Sequence, residues 1–132
     1  ISAYAFYLTF FTLLSVYAFG PLPGGKNPNI AMFTKPQKER KLINDFLNSI
    51  NSSYSIAATN NIGSHLSHRQ KIFTIPVGAD KADYVLFLLN DSYAQPSLQF
   101  QKDLANKMKY SKNYIEVFRN GDFVAFKKRT FN

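Results

Sequence analysis

The sequence predicts an α/β fold: an N-terminal transmembrane helix, then a small three-layer α/β sandwich with mainly parallel central strands and a C-terminal β-hairpin. Three observations predict it. Beyond residue 34, short apolar runs of strand length alternate with segments of helical period, the pattern of helices laid over a largely parallel sheet. Residues 1–25 carry no charge, and all 24 charges of the chain fall in residues 26–132. Asn120-Gly121 stands between two β-rich runs, a strong local signal for a hairpin.

In residues 1–19, 15 positions are apolar or aromatic, and the exceptions are Ser2, Thr9, Thr12 and Ser15. At about 1.5 Å per residue such a helix reaches roughly 28 Å, close to the hydrocarbon thickness of a bilayer. Gly20-Pro21-Leu22-Pro23-Gly24-Gly25 stops it, because Pro lacks the amide donor and Gly favours coil. Two other readings fit less well. A signal peptide would want a basic start and an initiator Met, both absent; a helix buried in a core is allowed by the all-round apolar pattern. The domains expected are therefore a transmembrane helix over 1–19, a Pro/Gly linker over 20–33 and a soluble α/β domain over 34–132. Starting on Ile, the chain reads as a piece of a longer membrane protein.

Each element of the α/β domain has a local reason. Thr34, Pro36 and Gln37 form a helix start of capping-box type, and Leu42, Ile43, Phe46, Leu47 and Ile50 recur at helical spacing, so a helix is predicted over 35–50 until Asn51-Ser52-Ser53 ends it. Residues 55–59 form a strand. Residues 60–67 form a loop running into a short helix. Residues 72–75 form a second strand, closed by Pro76, and 84–89 a third, whose unbroken apolar run predicts burial on both faces. Pro96 opens a helix with Leu98, Leu104, Ala105 and Met108 inside. A two-residue type I′ loop at Asn120-Gly121 would pair Phe118 with Phe123, Val117 with Val124 and Ile115 with Phe126, put Ile115, Val117, Val124 and Phe126 on one face, and oppose Arg119 to Asp122.

Composition narrows the chemistry. The 132 residues allow one ordinary domain, and 13 Phe with 8 Tyr supply a core and exclude global disorder. The absence of Cys excludes a disulfide scaffold, a thiol nucleophile and a thiolate metal site. No cofactor is expected, since there is neither a P-loop nor a nucleophile elbow. The net charge of +8 gathers in Lys107, Lys109, Lys112, Lys127, Lys128 and Arg129, with Tyr110 and Tyr114 between them. That composition also suits nucleic acid, but no nucleic-acid motif accompanies it, and beside a membrane helix the same charges suit anionic lipid heads or a lipid phosphate. The expected partners are thus membrane lipid or a polyprenyl-phosphate carrier and the rest of the same membrane protein, with no nucleic acid. Asn51-Ser52-Ser53 and Asn90-Asp91-Ser92 match the glycosylation acceptor pattern, which an Asn-rich chain also produces by chance.

The densest polar cluster is Asn60-Asn61-Ile62-Gly63-Ser64-His65-Leu66-Ser67-His68-Arg69. It follows a strand and is expected at that strand's carboxyl end, where open α/β sheets place ligands. It holds both His residues, three apart, which is half a metal site at best. Arg69 with a His and loop amides would hold an anion. Otherwise Arg69 pairs with Asp83 or with helix C-terminal ends, and the His residues cap. Asp80, Asp83 and Asp91 flank the third strand and read as turn and solvation groups rather than an acid–base pair.

Two stretches carry a family resemblance: Ile56-Ala57-Ala58-Thr59-Asn60-Asn61-Ile62-Gly63-Ser64-His65-Leu66-Ser67-His68-Arg69-Gln70-Lys71-Ile72-Phe73-Thr74-Ile75-Pro76 and Ala82-Asp83-Tyr84-Val85-Leu86-Phe87. They resemble the C-terminal part of the prokaryotic membrane protein family called domain of unknown function 2079, with its "His-Leu-Ser-x-Arg" turn and "Ala-Asp-Tyr-Val" strand. The resemblance covers roughly residues 1–90. It implies a polytopic protein similar to the GT-C glycosyltransferases, which transfer sugar from a polyprenyl-phosphate carrier outside the membrane. In that superfamily the catalytic carboxylate sits in an early loop that this chain does not contain, so no catalytic residue is carried over. The ligand-binding candidates are Asn60, His65, His68, Arg69 and Asp83, for acceptor or carrier. The positive-inside rule would place the basic part in the cytoplasm, but whole domains translocate largely regardless of charge, and the resemblance places it outside. The function expected is an extracytoplasmic accessory domain that positions acceptor or carrier; the alternative is a non-catalytic, membrane-tethered binding or scaffolding module.

Overall fold

A computed structural model describes residues 2–19, 24–26, 39–91 and 94–130. The chain divides into two units, Ile1–Lys38 and Glu39–Asn132. The first contains helix α1, Ser2–Phe19. Its described side chains are almost all exposed, with Tyr4 at 81% and Phe19 at 90%. Stacked pairs Phe6–Phe10 and Tyr7–Phe11 run along it at the four-residue spacing that brings helix side chains together. Among the described residues no helix is long and apolar enough to cross a membrane; the neighbours of α1 at Ile1 and over 20–23 lie outside the described set.

The second unit is a five-stranded mixed sheet with helices against it. The elements are α2 (Arg40–Ser49), β1 (Ile56–Ala58), α3 (Asn60–His65), β2 (Ile72–Thr74), β3 (Tyr84–Leu88), α4 (Leu98–Lys109), β4 (Tyr114–Asn120) and β5 (Phe123–Lys128). Strand order is β2-β1-β3-β5-β4. β1 runs parallel to β2 and β3, and β5 runs antiparallel to both β3 and β4. Side chains alternate between two cores, as a strand's period of two requires. Ala57, Val85, Phe87, Val124 and Phe126 face α4 through Ala105 and Met108. Ile56, Ala58, Leu86, Phe123 and Ala125 face α2 and α3 through Ile43, Leu47 and Ile62. Val85, Leu86 and Phe87 are fully buried, as the apolar run of the third strand predicts.

Three expectations about elements change. The helix expected over 35–50 is described from Arg40; the cap residues Thr34 and Gln37 lie outside the described residues. Glu39 stands at the N-cap in the left-handed region without a side-chain cap bond, and its carboxylate instead accepts from Asn120 Nδ2 at 2.6 Å. Leu42 lies on the outer side of α2, exposed. The loop expected after β1 is already helix at Asn60.

The hairpin is present, but its register is corrected. Asn120 pairs with Phe123, Arg119 with Val124 and Phe118 with Ala125, so the loop is Gly121-Asp122 rather than Asn120-Gly121. A type I′ loop needs positive φ at both central residues, and only Gly121 has it here (φ 55), as in a type II′ turn. Glycine takes the left-handed position and Asp122 is spared it. The register also shifts between Glu116 and Phe118, a bulge at Val117. Ile115 and Val117 therefore point outward at 47% and 41% exposure, while Val124 and Phe126 stay in the core. Arg119 does not oppose Asp122; it bonds Glu116 through two nitrogens at 2.7 and 2.8 Å.

Candidate functional site

The amino ends of the parallel strands are tied together by one carboxylate. Asp83 Oδ2 accepts from the Ser55 amide at 2.8 Å and from the Ser55 hydroxyl at 2.6 Å. The Asp83 amide donates back to Ser55 Oγ at 3.0 Å. These residues immediately precede β1 and β3, so the bonds lock the parallel register at its start. The Ser55 hydroxyl is the main reason the Asp83 carboxyl titrates below the ordinary carboxylate range. Burial opposes the shift, and the Ser55 amide with the Lys128 and Lys71 charges adds to it.

Arg69 makes its contacts with the end of a helix. Its guanidinium donates to the Asn51 carbonyl at 3.0 Å and to the carbonyls of Ile50 and Leu47. It caps the C-terminal end of α2, whose last carbonyls have no intrahelical donor. A cation there also opposes the negative end of the helix dipole. No bond joins it to Asp83. The reading of Arg69 as a cap on a helix C-terminus is the one its contacts support.

The remaining candidates do not gather around it. Asn60 opens α3 at the carboxyl end of β1, while Asp83 lies at the opposite end of the sheet. His65 closes α3 and His68 follows in the turn, both exposed. Among the described residues no three His, Cys, Asp or Glu side chains come together as a metal site. The polar cluster thus begins at a carboxyl end, but α3 carries the chain back across the sheet, so its last residue sits near the amino ends.

That amino end also gathers residues that lie far apart in the sequence. Tyr84 pairs with Lys127 across β3 and β5. The Lys127 ammonium stands 5.2 Å from the Tyr54 ring centre and 5.5 Å from that of Tyr84, and the two rings meet edge to face at 5.4 Å. The Lys128 amide donates to the Asp83 carbonyl at 2.7 Å, the Arg129 amide to Asn113, and the Lys71 carbonyl accepts from Ile56. Tyr54, Asp83, Lys127, Lys128, Arg129 and Thr130 line a cavity of about 410 Å³. The sequence did flag Lys127-Lys128-Arg129 as basic; what it could not reveal is that Tyr54, 73 positions before Lys127, stands against them.

A second, larger hollow of about 510 Å³ lies between α4 and the β2–β3 connection, with Phe100, Leu104, Met108 and Tyr110 on one side and Pro76 and Ala79 on the other. Tyr114 crosses beneath it and donates to the Ala82 carbonyl at 3.0 Å; burial raises its phenol pKa, with Asp80 and Asp83 adding to the effect.

No family model matches the chain, and no match appears among the curated proteins or the solved structures.

Proposed function

We propose that the chain is part of a polytopic membrane protein resembling the GT-C glycosyltransferases, and that its α/β unit is an extracytoplasmic accessory domain that positions an acceptor or a polyprenyl-phosphate carrier. The observation that carries this reading is the character of α1. It has no charged residue, and its aromatic and aliphatic side chains are exposed on all sides. A helix that is apolar all round needs an apolar surrounding, and exposed aromatic surface of that extent marks a membrane or partner contact. Its 18 described residues reach about 27 Å and do not by themselves make a membrane span, so the reading rests on the exposed apolar surface rather than on length. The motif likeness over residues 56–76 and 82–87 supplies the glycosyltransferase part of the reading. The α/β unit contributes exposed polar groups and a basic strand end, which suit binding rather than bond-making.

Topology tests the reading first. With Asp122→Cys at the exposed hairpin tip of the full protein, cleared of other cysteines, an impermeant maleimide is expected to label intact cells. Labelling only after lysis would remove the extracytoplasmic placement. Glycosyl transfer from polyprenyl-phosphate sugar is then compared with the Asn60→Ala/His65→Ala/His68→Ala variant, whose three side chains are exposed. Reduced transfer is expected, and unchanged transfer together with unchanged acceptor affinity would end the positioning role for these residues. A non-catalytic tethered binding module is the second reading, favoured by the same helix if no transfer is found.

A further inference from the structure

We infer that the amino end of the parallel strands is a binding site for a phosphate-bearing ligand, a phosphate monoester or diphosphate, held by Lys127, Lys128 and Arg129 with Tyr54 and Thr130. For what the ligand does, the inference rests on the positioning role proposed above; the site itself rests on its own geometry.

The charge comes first. Lys127, Lys128 and Arg129 line one cavity of about 410 Å³ together with a single carboxylate, Asp83. That carboxylate is already engaged by both the amide and the hydroxyl of Ser55. Among the described residues none of these three cations has a carboxylate within salt-bridge distance, whereas Arg119 on the neighbouring strand does. Like charges held together raise each other's energy unless an anion joins them. Three cations against one carboxylate favour a ligand carrying two negative charges.

The shape follows from the fold. Lys127 is held over two tyrosine rings rather than left free to sweep solvent. Arg129 is steadied by its Nε donating to the Tyr114 carbonyl at 3.4 Å, which leaves its terminal nitrogens for the fork geometry that suits phosphate. The Lys128 backbone is pinned to Asp83. Tyr54 and Thr130, which also line the cavity, are residues that carry a hydroxyl donor. The volume holds a diphosphate and the first part of whatever it is attached to. Phosphate on a lipid and phosphate on a water-soluble molecule present this same chemistry.

The experiment uses the whole chain in phosphatidylcholine nanodiscs, with amide NMR shifts followed in two arms. One arm adds inorganic pyrophosphate; the other replaces part of the lipid with phosphatidic acid. Shifts at Tyr54 and over 127–130 with pyrophosphate support the site with a soluble ligand. The same shifts with phosphatidic acid alone support it with a lipid headgroup. Lys127→Ala/Lys128→Ala is expected to weaken binding at least tenfold, Lys127→Arg/Lys128→Arg to retain it, and the control Lys107→Ala/Lys109→Ala, which removes equal charge, to change it less than twofold. Thermal unfolding of each variant reports folding separately. No shift in either arm, or equal loss in the control pair, overturns the inference. Release of the chain from membranes by alkaline carbonate, with pyrophosphate binding intact, would instead overturn the membrane reading and leave the site.

Discussion

At the amino ends of β1 and β3, the Asp83 carboxylate accepts two hydrogen bonds from Ser55, and the Asp83 amide donates one to the Ser55 hydroxyl oxygen. At the carboxyl end of β1, the Thr59 hydroxyl is 1% exposed and has no partner among the described residues. The Gln101 carbonyl oxygen on the first turn of α4 is in the same position, although its amide donates to Gln95 at 2.9 Å. Arg69 Nε, near the amino ends, is also buried without a partner among the described residues, so the two ends differ in the Ser55–Asp83 cross-link and not in being free of such atoms. The amino end is cross-linked by short polar bonds and opens to solvent through a cationic hollow. At the carboxyl end two buried polar atoms, Thr59 Oγ1 and Gln101 Oε1, have no partner among the described residues, while Asn60, next to Thr59, is exposed. Open α/β sheets usually place ligands at carboxyl ends; here the end with accessible, organised charge is the other one.

Breaking the amino-end lock should have the largest effect. Asp83→Ala removes a charged acceptor of two hydrogen bonds and is expected to cost about 3 kcal/mol, read from urea unfolding of the chain. The same bond gives a pH dependence. The folded carboxyl titrates below the unfolded one, so its contribution is fully present above the unfolded value, near 4, and is lost as pH falls through the folded value. Asp83→Asn should flatten the acid limb of a stability–pH curve, and an unchanged limb would show that other carboxylates set it.

Arg69→Ala should cost about 2 kcal/mol, because it removes charged hydrogen bonds to three carbonyls at the end of α2, of which the Leu47 and Asn51 carbonyls keep the Ile50 and Tyr54 amides as donors. Asn60→Ala, on the exposed side, should move stability by less than about 0.5 kcal/mol. Equal losses at the two positions would contradict the division between a bracing Arg69 and a free Asn60.

The carboxyl end should respond with the opposite sign. Thr59→Val keeps the shape and the extended backbone while deleting a buried hydroxyl without a partner, and should stabilise by about 1 kcal/mol. A loss instead would mean that a buried water satisfies Thr59. The smallest effect is expected at Arg119→Ala. Its bond to Glu116 is well formed, but both side chains meet solvent, and such pairs contribute about 0.5 kcal/mol or less.

Much of the fold was legible because it depends on neighbours in sequence. Val85-Leu86-Phe87 announces a strand covered on both faces, and all three are buried. Ala105 and Met108, three apart, announce the inner side of α4 and are buried too, with Ser97 capping the Phe100 amide at 3.1 Å. The existence of the hairpin followed from Asn120-Gly121. Its register did not, because β5 must satisfy β3 on its other side, and that constraint puts Phe123 and Phe126 in opposite cores and throws a bulge into β4.

The site was less legible for the same reason. His65 and His68 drew attention as the only histidines, yet they stand exposed in and after a short helix. Arg69 had chemistry to offer an anion, but the nearby end of α2 offers it three carbonyls first. Ser55 and Asp83 meet across 28 positions, and Tyr54 reaches Lys127 only once three strands have paired.

What the sequence by itself determined is the segregation of charge, the uncharged helix, the apolar strand runs and the turn chemistry, since these follow from side-chain solvation and backbone preference over a few residues. The tertiary structure decided which strand ends lie together, which cations lose their freedom over aromatic rings and which polar groups are sealed without partners. Those outcomes depend on parallel register and on two-sided packing, and both are properties of the assembled sheet.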